Sequence, residues 1–166
     1  MRPGALFGIS IVLGFVTWGL VVGRYVWPAL RTLPRADALR PLLLLHGFRF
    51  IGLAFVIPGV ASADLPGAFA RPAAYGDLIA AVLALIAYAT LQSRIGLALV
   101  WVFNLWGTAD LLNAYYQGRI GVGVEPGQLG AAYFIPTVVV PLLLITHGLV
   151  FRILWRPESP SPRRSS

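Results

Sequence analysis

Hydrophobic residues occur along the chain in five long runs, separated by short stretches rich in arginine, proline or glycine. Each run has about the twenty residues that a helix needs to cross a hydrocarbon core of about 30 Å. In lipid the backbone polar groups must be satisfied internally, which favours helices over irregular structure. The pattern predicts transmembrane helices over residues 5–26, 41–60, 74–91, 95–116 and 131–155.

Short connections between these runs predict an all-α, polytopic integral membrane protein, a compact bundle of five transmembrane helices in one domain, residues 1–155. The remaining residues, 156–166, are rich in proline, serine and arginine and have no apolar face, so we expect a disordered cytoplasmic tail. The first run lacks a small-x-small cleavage site and is long, which favours a retained span over a cleaved signal peptide.

The amino-acid composition also indicates a membrane protein. The chain is 58% hydrophobic and 11% charged, with a mean hydropathy of +0.79, whereas soluble domains are about half apolar with about a quarter of their residues charged. The formal charge of +7 would suggest a nucleic-acid partner for a soluble protein. Here the arginines lie in short loops and in the tail, so we expect the lipid bilayer as partner and no nucleic acid.

Arginine is distributed unequally between the two sides of the predicted bundle. One side carries Arg24, Arg31, Arg35, Arg40, Arg94, Arg152, Arg156, Arg163 and Arg164, and the other carries Arg2, Arg71 and Arg119. Because the side richer in arginine is normally cytoplasmic, the N-terminus is predicted outside and the C-terminus inside. The lysine-free, Ala/Leu/Arg-rich composition is typical of a high-GC bacterium, which predicts the bacterial inner (plasma) membrane.

Several chemistries are excluded by the residues that the chain lacks. With no lysine it forms no retinal or pyridoxal Schiff base, and with no cysteine it has no disulfide, thiolate ligand or cysteine nucleophile. Hydrolase and protease motifs such as G-x-S-x-G and H-E-x-x-H are absent. No reaction is therefore indicated, and enzymatic activity remains an open question.

Polar side chains within the predicted spans are the candidates for function, because such groups are costly at membrane depth and by default mark a site. Together with a tryptophan that could wall a pocket, they form a predicted ligand-binding set: His46, Arg49, Asn104, Trp106, Asp110, Asn113 and His147. This set favours binding of a small ligand or lipid, or a role as an accessory subunit of a membrane complex.

The two histidines suggest an alternative function. By helical rise His46 and His147 each lie about 8 Å inside the cytoplasmic face. Histidines at one depth on two helices are compatible with bis-histidine ligation of haem b in an electron-transfer cytochrome, with Arg49 near a propionate. In the other interpretation each imidazole only hydrogen-bonds neighbouring groups.

Charged residues raise two further questions. The predicted depths of Arg49 and Asp110 in the membrane differ by about 10 Å. Either a structural salt bridge between them or binding of an anionic group by Arg49 is compatible with this difference. Asp77 is expected at the outer end of its span, solvated or capping a helix.

Oligomerisation provides a third functional alternative. Five spans leave little room for an aqueous path in one chain, so a channel or transporter would need several protomers. The sequence leaves open a homo-oligomer or a complex with other membrane subunits.

Overall fold

Five long helices account for most of residues 2–157, the part of the chain that the computed structural model describes. They are α1 (Pro3–Leu30), α2 (Arg35–Val56), α3 (Gly67–Thr90), α4 (Gly96–Gly121) and α5 (Ile135–Leu154), and a 3₁₀ segment, Pro126–Tyr133, precedes α5. No strand occurs in the described residues, and each long helix is apolar enough to cross a membrane. The all-helical, five-helix prediction is confirmed, and the predicted tail from residue 158 onwards lies outside the described residues.

Two helices begin earlier than predicted. The predicted second and third spans begin at residues 41 and 74, whereas α2 begins at Arg35 and α3 at Gly67. One predicted start falls on Pro41 and the other falls just after Pro72, but both prolines lie inside helices. A proline removes only one backbone donor, and apolar residues on both sides continue the helix.

The second half of α2 changes from α-helix to 3₁₀-helix, Phe48–Val56. Side chains three residues apart eclipse one another in a 3₁₀-helix. The buried residues of this segment follow that spacing: Arg49, Gly52 and Phe55. The 3₁₀ geometry therefore directs the guanidinium of Arg49 and the open space at Gly52 to the same side of the helix.

Two apolar cores fill the interior, one towards each end of the bundle. The core at the predicted cytoplasmic end includes Leu39, Leu43, Val100, Phe103, Val150 and Ile153. The core at the other end includes Phe55, Phe69, Ala74, Leu111, Ile135 and Leu143. Between them, on α2 to α5, lies a buried polar layer formed by His46, Arg49, Asp77, Asn104, Thr146 and His147.

Helix α1 lies at the periphery and leaves much of its apolar surface exposed. Of its most hydrophobic 18-residue stretch, only 11% of the residues are buried, and Val12, Leu13 and Leu20 are among its exposed side chains. It approaches α5 closely at Gly14, where a Cβ atom would collide with the backbone of Thr137. The polar layer is thus built by the other four helices.

Candidate functional site

Arg49 is the centre of the polar layer and is completely buried. Its Nε donates to Oδ1 of Asp77 at 2.7 Å, and its Nη2 lies 2.7 Å from the same oxygen and donates to Oδ2 of Asp110 at 2.6 Å. Its Nη1 donates to the carbonyl of Gly107 at 3.1 Å and lies 3.2 Å from Nε2 of His147. A guanidinium has five N–H donors, so every donor of Arg49 has an acceptor.

Three glycines make room for these charged groups. A Cβ atom on Gly52 would lie 2.6 Å from the Cβ of Asp77, and one on Gly76 would lie 2.7 Å from the carboxyl carbon of Asp110. At Gly107 it would lie 2.6 Å from Nη1 of Arg49. Only glycine lets the backbones approach the ionic cluster this closely.

His147 is fixed at both ring nitrogens. Its Nδ1 lies 2.7 Å from Oδ1 of Asn104, and Nδ2 of Asn104 donates to the backbone carbonyl of His147 at 3.3 Å. The second bond orients the amide so that its oxygen faces the ring, and Nδ1–H is therefore the donor. Nε2 is left as an acceptor for Arg49.

His46 lies directly against His147, with ring centroids 4.1 Å apart, and both imidazoles contact Phe103. Its Nε2 lies 3.0 Å from Oγ1 of Thr146, and its Nδ1 is buried without a hydrogen-bond partner. The hydroxyl of Thr146 has a carbonyl acceptor in Leu142 at 2.9 Å. Thr146 is therefore free to accept a hydrogen bond from Nε2–H of His46.

The ionic cluster carries more negative than positive charge. Two carboxylates, Asp77 and Asp110, surround the single guanidinium of Arg49, so the group has a formal charge of −1 when all three are ionised. Within residues 2–157, neither Oδ2 of Asp77 nor Oδ1 of Asp110 accepts a hydrogen bond. Each carboxylate thus has an oxygen available to a further donor.

A cavity of about 40 Å³ adjoins the two carboxylates on the side away from the histidines. Apart from Asp77, Asp110 and Tyr115, its lining is apolar and includes Phe55 and Phe69. The hydroxyl of Tyr115 is already used, since it donates to the carbonyl of Pro136 at 2.7 Å. Among the lining residues, Asp77 and Asp110 are therefore the ones whose side chains retain an oxygen without a donor.

Five of the seven predicted site residues come together: His46, Arg49, Asn104 and His147 belong to the polar layer, and Asp110 joins it through its ion pair with Arg49. The other two lie at its edge. Trp106 is 44% exposed and donates from Nε1 to the carbonyl of Gly76 at 3.4 Å, and exposed Asn113 lines a small second cavity beside Asp110.

The prediction that Asp77 lies at the outer end of its span is wrong. Asp77 is 5% exposed and pairs with Arg49 instead of being solvated or capping a helix. Because α3 begins at Gly67, Asp77 lies well inside that helix. The sequence could have indicated this position: if the third span is extended through Pro72 towards Gly67, Asp77 lies nearer to the middle of the span.

The arrangement does not fit bis-histidine ligation of haem. An iron between two axial ligands would hold the coordinating nitrogens alone about 4 Å apart, with the ring centres farther apart still. Here the ring centroids of His46 and His147 are 4.1 Å apart, and both nitrogens of His147 are engaged. No group of three or more metal-ligating side chains is assembled anywhere in residues 2–157.

Comparison with known proteins gives a family without an assigned activity. Neither the curated proteins nor the solved structures contain a match to the chain. A family model described as "Domain of unknown function (DUF8737)" matches residues 6–155, nearly the whole of the helical bundle. The chain belongs to this family.

Proposed function

We propose that the protein spans the bacterial inner membrane five times, with its N-terminus outside. Support comes from the exposed apolar side chains on the outside of the bundle, such as Val12, Leu20 and Leu105. The arginines of the α1–α2 and α3–α4 connections and of the end of α5 would then lie on the cytoplasmic side.

Within that membrane protein, we propose that Asp77 and Asp110 bind a small cationic ligand from the outer side. One observation carries this function: two carboxylates that line the same cavity share one guanidinium, and each has an oxygen that accepts no hydrogen bond within residues 2–157. A positively charged donor would balance the charge of the cluster and complete its hydrogen bonds. Arg49 then acts as the group that positions the carboxylates and does not bind the ligand itself.

The cavity limits the size and character of the ligand. A water molecule needs about 10–15 Å³ of such space, so a cavity of about 40 Å³ holds only a few heavy atoms. The aromatic rings of Phe55 and Phe69 in its wall can interact with a cation through their faces. Ammonium and small alkylammonium ions combine the required charge, N–H donors and size.

Of the two aspartates, Asp110 is the more accessible to a ligand. Its side chain keeps 13% exposure, against 8% for Asp77, and it also borders the second small cavity towards Asn113. Asp77 interacts with two nitrogens of Arg49, whereas Asp110 interacts with one. Replacing Asp110 by asparagine therefore removes charge from the site while keeping an acceptor for Arg49.

Binding of radiolabelled methylammonium to the purified protein in detergent tests this proposal. We expect saturable binding to the wild type and its loss in Asp110→Asn. Asp37→Asn is the matched control, because Asp37 is a half-exposed aspartate paired with Arg40 outside the bundle core. Equal binding by wild type and Asp110→Asn, or no binding by a folded wild type, would overturn the assignment.

The other three functional alternatives have less support. An accessory subunit or an oligomeric channel requires a partner surface, and no feature of the polar layer indicates one. Electron transfer through haem would require His46 and His147 to separate and His147 to give up a bond to Arg49 or Asn104. We therefore favour cation binding.

A further inference from the structure

A second, chemically opposite site lies at the other end of the bundle. There the α1–α2 connection, the start of α2 and the end of α5 enclose a groove of about 650 Å³. Its polar lining includes three arginines, Arg31, Arg35 and Arg156, and among residues 2–157 it has no acidic lining residue. This groove shares no residue with the carboxylate cavity.

The arginines of the groove are held in place by backbone contacts. Nη1 of Arg156 donates to the carbonyl of Arg31 at 3.3 Å, and Nη2 of Arg35 donates to the carbonyl of Arg156. These bonds tie the end of α5 to the α1–α2 connection. They hold three arginines around one space.

Two of these guanidinium groups have unused donors. Nη2 of Arg156 is buried and has no hydrogen-bond partner, and the exposed side chain of Arg31 makes no hydrogen bond or ion pair within residues 2–157. A buried N–H group without an acceptor is costly. An anion with several acceptor oxygens would satisfy both arginines.

The surroundings of the groove are those of a membrane surface. Leu33, Leu91 and Leu97 line its apolar part. The ring of Trp27 lies next to it, with the guanidinium carbons of Arg152 and Arg156 at 4.0 and 4.8 Å from the ring centroid. Tryptophan and arginine together are typical of the headgroup level, so the groove offers arginine to a headgroup and leucine to an acyl chain.

We propose that this groove binds the phosphate group of an anionic phospholipid of the cytoplasmic leaflet. Arginine binds phosphate through pairs of parallel hydrogen bonds, and basic pockets at the cytoplasmic ends of transmembrane helices are suited to anionic headgroups. Arg31 and Arg156 contact the phosphate, and the leucines contact the first carbons of the acyl chains. The site depends on the proposed orientation in the membrane but not on cation binding at Asp110.

Lipid retention measured by native mass spectrometry tests the site. The full-length protein is exchanged into detergent containing equal amounts of phosphatidylglycerol and phosphatidylcholine. We expect the wild type to retain phosphatidylglycerol preferentially and Arg31→Gln/Arg156→Gln to retain it about tenfold less. Arg40→Gln/Arg94→Gln removes the same charge from the same face outside the groove and should retain lipid as the wild type does.

Three further measurements distinguish lipid binding in the groove from misfolding, from binding of soluble phosphate and from effects of the carboxylate site. Arg31→Gln alone should also weaken retention, and because this side chain has no partner among residues 2–157, the fold of the bundle should be unaffected. Inorganic phosphate should not displace the lipid at millimolar concentration; displacement by phosphate would overturn the lipid assignment in favour of a soluble phosphate. Asp110→Asn should retain the lipid fully. Equal losses in the two double variants, or equal retention of the two lipids by the wild type, would also overturn the proposal.

Discussion

Arg49 and Asp110 are 61 residues apart in the chain, yet Nη2 of the arginine donates to Oδ2 of the aspartate at 2.6 Å in the interior of the bundle. The same guanidinium holds Asp77 of α3. One side chain of α2 is thereby bound to α3 and α4 at once. Because the alternatives in an apolar environment are unpaired charges, this contact restricts how the three helices can slide past one another.

Replacing Arg49 by methionine should strongly destabilise the bundle. The change leaves the carboxylates of Asp77 and Asp110 buried without their counter-charge, and loss of one partner of a buried ion pair costs about 3–5 kcal/mol. The free energy of unfolding in detergent, followed by circular dichroism, measures this loss. Arg49→Lys should also destabilise, since an ammonium has three donors and no planar fork.

A variant that lacks all three charges distinguishes the effect of unpaired charge from the effect of the altered side-chain shape. Arg49→Met/Asp77→Asn/Asp110→Asn removes all three charges, so we expect it to be more stable than Arg49→Met alone. If the triple variant were the less stable of the two, the uncompensated carboxylates would not be the cause of the destabilisation.

The number and type of helices could be predicted from the sequence because apolar length alone decides them. The ends could not be predicted as well, since the pattern gives no means of distinguishing a proline that ends a helix from one that lies inside it. Pro41 and Pro72 lie at or beside predicted helix starts, yet both are interior to their helices. The first error shortened α2, and the second moved Asp77 away from the site.

Candidate site residues could be selected by their polarity, but their partners depended on geometry that the sequence does not specify. With the predicted span ends and the rise of an α-helix, the depths of Arg49 and Asp110 in the membrane differ by about 10 Å. The start of α2 at Arg35 removes that difference, because Arg49 and Asp110 each lie fourteen residues after the first residue of their helices, 49 − 35 and 110 − 96. The long arginine side chain covers the remaining distance.

Gly107→Ala should disturb the polar layer from within. The added Cβ would lie 2.6 Å from both Nη1 of Arg49 and Cε1 of His147, and neither group can move without losing hydrogen bonds. Overpacking of this kind costs about 1–3 kcal/mol. Gly148→Ala is the matched control, because a Cβ there meets nothing within 4 Å. Thermal unfolding should show a lower midpoint for the first variant and an unchanged or higher one for the second.

Single cysteines should report the proposed orientation. The chain has no cysteine of its own, so Ala63→Cys between α2 and α3 and Ser93→Cys between α3 and α4 each introduce one exposed thiol. With the N-terminus outside, a membrane-impermeant maleimide should label Ala63→Cys in intact spheroplasts and Ser93→Cys only after permeabilisation. The reverse pattern would invert the topology and place the arginine-rich groove on the outer surface.

His46 and His147 should hold opposite neutral tautomers, although their rings are in contact. Asn104 accepts from Nδ1–H of His147, which leaves Nε2 to accept from Arg49. His46 donates from Nε2–H to Thr146, which leaves its buried Nδ1 unprotonated. In each case the neighbouring bonds determine which nitrogen carries the hydrogen.

Solid-state nitrogen-15 NMR of histidine-labelled protein in bilayers distinguishes the two forms, because protonated and unprotonated ring nitrogens have well-separated shifts. The chain contains two histidines, so His46→Gln leaves only the signals of His147 and assigns both rings. We expect one Nδ1–H and one Nε2–H tautomer at neutral pH. Two rings with the same tautomer, or a doubly protonated ring, would contradict the hydrogen-bond pattern around Arg49, since that pattern requires an unprotonated Nε2 on His147.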